Sequence, residues 1–269
     1  IGEALYESGY LYYILSKVFA GSKTVRSFIL KLVFFSGLLS TILMNDTLAV
    51  LFTPFLVNIS KSKGLNEKML TLALAFSVTV GSVMSPIGNP QNLLIAIKMQ
   101  DPFKIFLFYL SVPTLINLFV IYLVIAQAFK TEINKVVNFE VSNVRSGNTR
   151  IETASKLSLL SLIALSVANS LAFTFFSVSF PVSIISILSA IPIFFSGKSG
   201  LKAVAKMDWR TVAFFVFMFI LMQSVYDSGV IQLLLNGHIS GILYIMLLSI
   251  ALSQALSNVP FVAEYGHFL

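Results

Sequence analysis

The chain has 269 residues, 57% hydrophobic and 11% charged, with a net charge of +7 and a mean hydropathy of +0.91. Soluble domains carry about a quarter charged residues, so this composition excludes one and points to an integral, multi-pass membrane protein. The positive charge does not indicate a nucleic-acid partner, because the basic residues sit in short loops between apolar runs, and the absence of cysteine excludes disulfides, thiolate metal sites and cysteine nucleophiles.

In chain order, residues 1–20 read as the end of one span followed by an amphipathic helix, 4–19. Ser8 and Gly9 mark a place where a span breaks and turns along the interface. Residues 28–60 form two apolar arms, 28–44 and 48–59, around Asn45-Asp46-Thr47. Asp46 is the only charged residue between Lys31 and Lys61. The second arm is short and carries Pro54, so the pair reads as a re-entrant hairpin that enters and leaves on one side. Lys61, Lys63 and Lys68 make that side basic. Residues 69–98 read as a broken span. The stretch 69–84 is apolar, but Ser85-Pro86-Ile87-Gly88-Asn89-Pro90-Gln91-Asn92 cannot continue a regular helix. Non-helical backbone at membrane depth must be buried in protein or line a cavity.

Residues 103–127 are a clear span, and 128–156 are a long polar segment. Residues 157–175 and 178–195 pair as antiparallel helices with Pro181 near the turn. Ser158, Ser161, Ser166, Asn169 and Ser170 are expected to bond between helices. In the basic loop 197–210, Lys198, Lys202, Lys206 and Arg210 mark the cytoplasmic lipid surface. Residues 211–226 span again and 229–239 form a second interfacial segment. A second hairpin arm, 240–256, leads to a tip at Ser257-Asn258-Val259-Pro260. His238 and His267 are too far apart in this arrangement to form a metal pair.

Two motifs occur twice. Leu39, Ser40, Leu43 and Asn45 recur as Leu252, Ser253, Leu256 and Asn258. Tyr6-Glu7-Ser8-Gly9 recurs, with Asp for Glu, as Tyr226-Asp227-Ser228-Gly229. Chance matches in Leu/Ser-rich sequence are the alternative, but two matches in the same order favour an internal duplication. The expected organisation is a first repeat at 1–127, incomplete at its N-terminus, a cytoplasmic linker at 128–156, and a second repeat at 157–269, truncated at its C-terminus. The chain reads as a piece of a longer protein. Placing 17–31 in the cytoplasm leaves only Lys98 and Lys104 of the 18 Lys and Arg outside. The two halves are then inverted, the arrangement that supports alternating access. The expected fold is an all-α polytopic membrane protein with inverted repeats, re-entrant helical hairpins and a broken transmembrane helix.

A carboxylate in a hydrophobic stretch usually faces a cavity or an ion path. A helix starting in mid-membrane offers N–H groups and partial positive charge to an anion, while unwound carbonyls and amide oxygens suit Na⁺. Asp46 is therefore expected to couple transport to H⁺ or Na⁺; the alternative is that it caps an arm beginning at Thr47. No Gly-x-Ser-x-Gly, His-Glu-x-x-His or ATP-binding motif is present, which argues against an enzyme and against an ATP-driven pump.

Asn45-Asp46-Thr47 with Thr53-Pro54, Gly81-Ser82, Pro86 to Asn92, Asp208-Trp209 and Ser257-Asn258-Val259-Pro260 occur in that order. In this the chain resembles the ion-transporter superfamily: arsenite permeases, NhaD-type sodium/proton antiporters, and divalent-anion/sodium symporters with a citrate-transporter-like domain. The resemblance implies a secondary active transporter of a small inorganic or organic anion, of the arsenite, citrate, dicarboxylate or sulfate class, driven by an ion gradient in the plasma membrane. A sodium/proton antiporter is the second reading. It further implies a site formed by Asn45, Asp46, Thr47, Gly88, Asn89, Pro90, Gln91 and Asn92 from one half and Ser257, Asn258 and Val259 from the other. Coupling Na⁺ would sit at Asn45, Thr47, Asn89 and Asn258, with no other cofactor. The implied partners are the lipid bilayer, a small anion and a second copy in a homodimer. The symporters carry Ser-Asn-Thr at both tips; Asn-Asp-Thr and Ser-Asn-Val-Pro lean towards the arsenite permeases.

Overall fold

The computed structural model describes residues 1–137 and 149–228, and a few single positions beyond them. Among the described residues it is all helical apart from one isolated bridge, and three helices are long and apolar enough to cross a membrane: Glu67–Met84, Pro102–Ala128 and Thr149–Phe176.

The amphipathic stretch at the start is two helices, α1 (Gly2–Glu7) and α2 (Tyr10–Phe19), rather than one. Gly9 lies between them with φ 72°, a left-handed conformation that glycine adopts without steric cost. Helix α2 buries Leu11, Leu15 and Phe19, four residues apart, on one face. Helix α3 (Val25–Leu39) begins at a Thr24 cap, whose hydroxyl accepts the Ser27 N–H. Helix α4 (Asn45–Lys63) returns to the basic end and stops at Gly64 with φ 63°. At 1.5 Å per residue α3 is about 22 Å long, short of the roughly 30 Å hydrocarbon layer. This length fits an arm that turns back inside the membrane.

Helix α5 (Glu67–Gly81) continues into a 3-10 turn, Ser82–Met84, and the regular pattern then stops. The irregular stretch is shorter than the sequence implies. Only 85–89 is non-helical, because Pro90 occupies the first position of α6 (Pro90–Ala96), where its fixed φ and missing N–H are no hindrance. Pro90, Gln91 and Asn92 thus belong to a helical turn, not to the break.

The span α7 (Pro102–Ala128) leads to the short α8 (Lys130–Ile133), and 149–156 is already the start of α9 (Thr149–Phe176). Helices α9 and α10 (Val182–Phe194) pack together, followed by α11 (Lys198–Ala205) within the basic loop and α12 (Trp209–Asp227). Of the five polar residues singled out on α9, three bond outside their own helix. Ser161 Oγ donates to Ser189 O at 3.3 Å, Ser170 Oγ to Asp101 Oδ1 at 2.8 Å, and Asn169 Oδ1 accepts the Phe180 N–H at 2.7 Å. Ser166 bonds back to Leu162 O of its own helix, and the Ser158 hydroxyl is buried without a partner among the described residues.

Two loops at the basic end are joined by backbone bonds: Val25 N–H donates to Lys135 O at 3.0 Å and Val137 N–H to Lys23 O at 3.1 Å. The bridge puts both loops at one end of the molecule.

The main core is built from α2 to α5 and α7, with Phe28, Leu32, Phe52, Leu70 and Leu118 fully buried. Lipid is as apolar as these side chains, so close packing and small residues must hold the helices together. The contact between α3 and α5 shows this. A Cβ on Gly81 would lie 2.1 Å from Gly37 O, and one on Gly37 would lie 2.7 Å from Leu118 Cδ2. One turn away Ser36 Oγ and Ser77 Oγ are 2.6 Å apart. Gly81→Ala is expected to force the two backbones apart and lower stability by about 1–3 kcal/mol, as overpacking does. Ser36→Ala should cost only about 0.6 kcal/mol, a typical loss for one bond between membrane helices. Thermal denaturation of the detergent-solubilised protein measures both.

Candidate functional site

The site is built where two interrupted elements meet. Helix α3 unwinds after Leu39, and residues 40–44 turn the chain into α4. Met44, not Asp46, holds the cap position of α4 and supplies no side-chain bond. Asn45 and Asp46 therefore lie in the first helical turn, whose N–H groups have no acceptor within the helix. One of these is satisfied from outside: Asn45 N–H donates to Gly88 O at 2.9 Å. The hairpin tip thus docks directly on the break between α5 and α6. Gly88 is needed for this approach, since a Cβ there would lie 2.3 Å from Ser82 O and 2.9 Å from Ser40 O.

The break is organised by two buried amides. Asn89 caps α6, its Oδ1 accepting Asn92 N–H at 2.8 Å, and its Nδ2 donates to Ser82 Oγ at 2.9 Å. Asn92 Nδ2 faces the carbonyls of Ser82, Val83 and Ser85 at 3.2, 3.1 and 2.9 Å. Those carbonyls lie at the end of the interrupted helix, where Ser82 O and Ser85 O also accept the Ser85 and Gly88 N–H groups at 3.3 Å, so Asn92 gathers the end of one half-helix while Asn89 opens the next. Both side chains are thereby occupied in holding the backbone.

Asn45 differs. Its Oδ1 is buried and has no hydrogen-bond partner among the described residues. A buried carbonyl oxygen without a donor is costly unless something else fills the place. Asp46 beside it is exposed and makes no ion pair or hydrogen bond among the described residues. The Thr47 methyl packs over Gly2 of α1, where an added Cβ would stand 2.6 Å from Cγ2. Gln91 lies partly exposed in the first turn of α6. Ser257, Asn258 and Val259 lie outside the described residues, as do His238 and His267.

Beside the tip and the break is an apolar cavity of about 500 Å³, walled by Ile42, Pro86, Ile87, Phe103, Leu107 and Leu162 among others. Asn45, Asp46 and Asn89 do not line it, so it adjoins the polar cluster rather than containing it.

Sequence reasoning missed two polar groups. Ser82 accepts from Asn89 while donating to Thr79 O at 2.8 Å. Asp101, between Lys98 and Lys104, is 2% exposed and accepts from Ser170 through Oδ1, with Oδ2 buried and without a partner among the described residues. The one signal for Asp101 is its place just before Pro102 at the start of a long span.

Over residues 1–266 the chain matches the family described as citrate transporter. It is 38% identical over 74 residues to the putative transporter arsB of Dictyostelium discoideum, covering 28% of this chain and 13% of that protein. It is 42% identical over 72 residues to the silicon efflux transporter LSI3 of Oryza sativa subsp. japonica, covering 27% and 15%. An uncharacterized transporter of Mycobacterium bovis aligns over 246 residues at 24% identity, 86% of this chain and 56% of that protein. The chain thus spans little more than half the length of the third and far less of the first two. The match along almost the whole chain agrees with the resemblance carried by its motifs, and this integral membrane protein belongs to the citrate transporter family.

Proposed function

We propose that the protein carrying this chain is a secondary active transporter that moves a small inorganic or organic anion across the membrane, driven by an ion gradient. The observation that carries the reading is the docking of the Asn45 tip on the Gly88 carbonyl, with Asn45 Oδ1 left buried and unpaired. An amide oxygen without a donor suits a hard cation such as Na⁺, and the first turn of α4 offers N–H groups to an anion. In this reading Asn45 and Thr47 hold the coupling ion, Asn89 and Asn92 shape the pocket, and Asp46 carries the coupling charge. Ser257, Asn258 and Val259 complete the site from an inverted second repeat. The family description, citrate transporter, and relatives named putative transporter arsB and silicon efflux transporter support a small anion and leave its identity to experiment. A sodium/proton antiporter is the second reading, favoured by the exposed, unpaired Asp46 carboxylate. Flux of labelled citrate, arsenite or sulfate with and without a sodium gradient separates the two.

The two amides should respond differently. Asn45→Ala keeps the backbone bond to Gly88 and is expected to lower flux at least tenfold with little change in thermal stability. Asn92→Ala removes the side-chain donor shared by three carbonyls, of which Ser82 O and Ser85 O keep a backbone N–H, and is expected to lower thermal stability by about 1–3 kcal/mol, the cost of leaving a buried polar group unpaired. Flux in proteoliposomes and melting in detergent read the two effects separately. Asp46→Asn should abolish the pH or sodium dependence of flux; a dependence equal to that of the unmodified protein contradicts a coupling role.

A further inference from the structure

Helix α1 touches the candidate site at one end and the basic helix α11 at the other. At its start Gly2 lies against α4, so that a Cβ there would stand 2.6 Å from Thr47 Cγ2 and 3.9 Å from Leu51 Cδ1. At its end the Glu7 carboxylate, with only 16% of its side chain exposed, is ion-paired to Lys206, and Lys202 Nζ lies 3.9 Å away. Between the two, Ala4 is buried with Ile151 of α9, Ile193 of α10 and Ala203 of α11, while Leu5 enters the main core. Directly after Glu7 the helix ends, and Gly9, with φ 72°, turns the chain into α2, which is buried in the main core. Residues 2–7 are thus packed between the hairpin tip and α11, with the ion pair beside the turn at Gly9.

We propose that Glu7 is a positioning residue for the site: its pair with Lys206 holds α1 against α11, and α1 in turn holds the first turn of α4, including Thr47, in place. This rests on the reading of that turn as part of the ion and substrate site. With its lysine half-exposed, a single ion pair of this kind adds little to global stability, so its effect is on where α1 stands. Without the pair the contact of α1 with α11 loosens, and the surface packed against the Thr47 methyl shifts with it.

The chain has no cysteine, so Thr47→Cys provides a single reporter. The rate at which a small maleimide modifies it in the membrane-reconstituted protein is expected to rise several-fold on Glu7→Gln, and likewise on Lys206→Gln. It should return towards the starting rate in the charge-reversed pair Glu7→Lys with Lys206→Glu. Equal rates in all variants, or a rise that charge reversal does not rescue, overturn the proposal. Where Glu7→Gln alone does not fold, Lys206→Gln and the reversed pair decide it. In the flux assay Glu7→Gln should raise KM more than it lowers kcat. A protein that carries no flux in any form defeats the transport reading, while the maleimide rates still decide the positioning role.

Discussion

Lipid offers no hydrogen-bond partner to a helix that stops inside it, and everything at the centre of this structure follows from that constraint. The interrupted span ends at Ser82, Val83 and Ser85, whose carbonyls turn to the Asn92 amide and, for Ser82 and Ser85, to short turn bonds, and the hairpin starts a new helix at Asn45 with open N–H groups. Neither element can be stable at depth alone. Asn92 reaches back across the break to the carbonyls, and the Gly88 carbonyl takes the Asn45 N–H. Each interruption therefore supplies what the other lacks, and the two become one unit.

The close approach this requires is prepared one turn below. Gly37 and Gly81 let α3 and α5 touch backbone to backbone, and the paired hydroxyls of Ser36 and Ser77 lie in the same contact. With the helices so near, the tip after α3 and the break after α5 arrive at the same level, and Gly88 fits between Ser40 and Ser82 where no side chain could. Once the caps are counted, the Asn45 side-chain oxygen is left over. Being a neutral amide oxygen, it is buried there without the cost of a buried charge.

Much of this was legible in the residues. Pro86, Gly88 and Pro90 in one apolar run announce a break, and Asn45-Asp46-Thr47 between two short arms announces a turn at depth. The membrane class follows from composition, and the match to the citrate transporter family agrees with the motif order. Other features depend on partners far away in sequence. Asn92 sits in the same polar string as Asn89, yet one closes a helix and the other opens one, which only the positions of the Ser82 and Ser85 carbonyls decide. Gly37 looks like an ordinary member of an apolar arm until Gly81 is placed against it. Asp101 is buried by Ser170, 69 residues downstream, a contact no local pattern announces. The break between α1 and α2 at Ser8 and Gly9 was marked by residue type, but its left-handed backbone was not.

The union of tip and break is read most directly by residue-resolved amide hydrogen exchange of Asn45 in the membrane-reconstituted protein. Bonded to the Gly88 carbonyl, its N–H should exchange as slowly as the interior amides of α5. Exchange at the rate of an unbonded, solvent-exposed amide would mean that the tip stands at the membrane surface, apart from the broken helix, and would contradict the account.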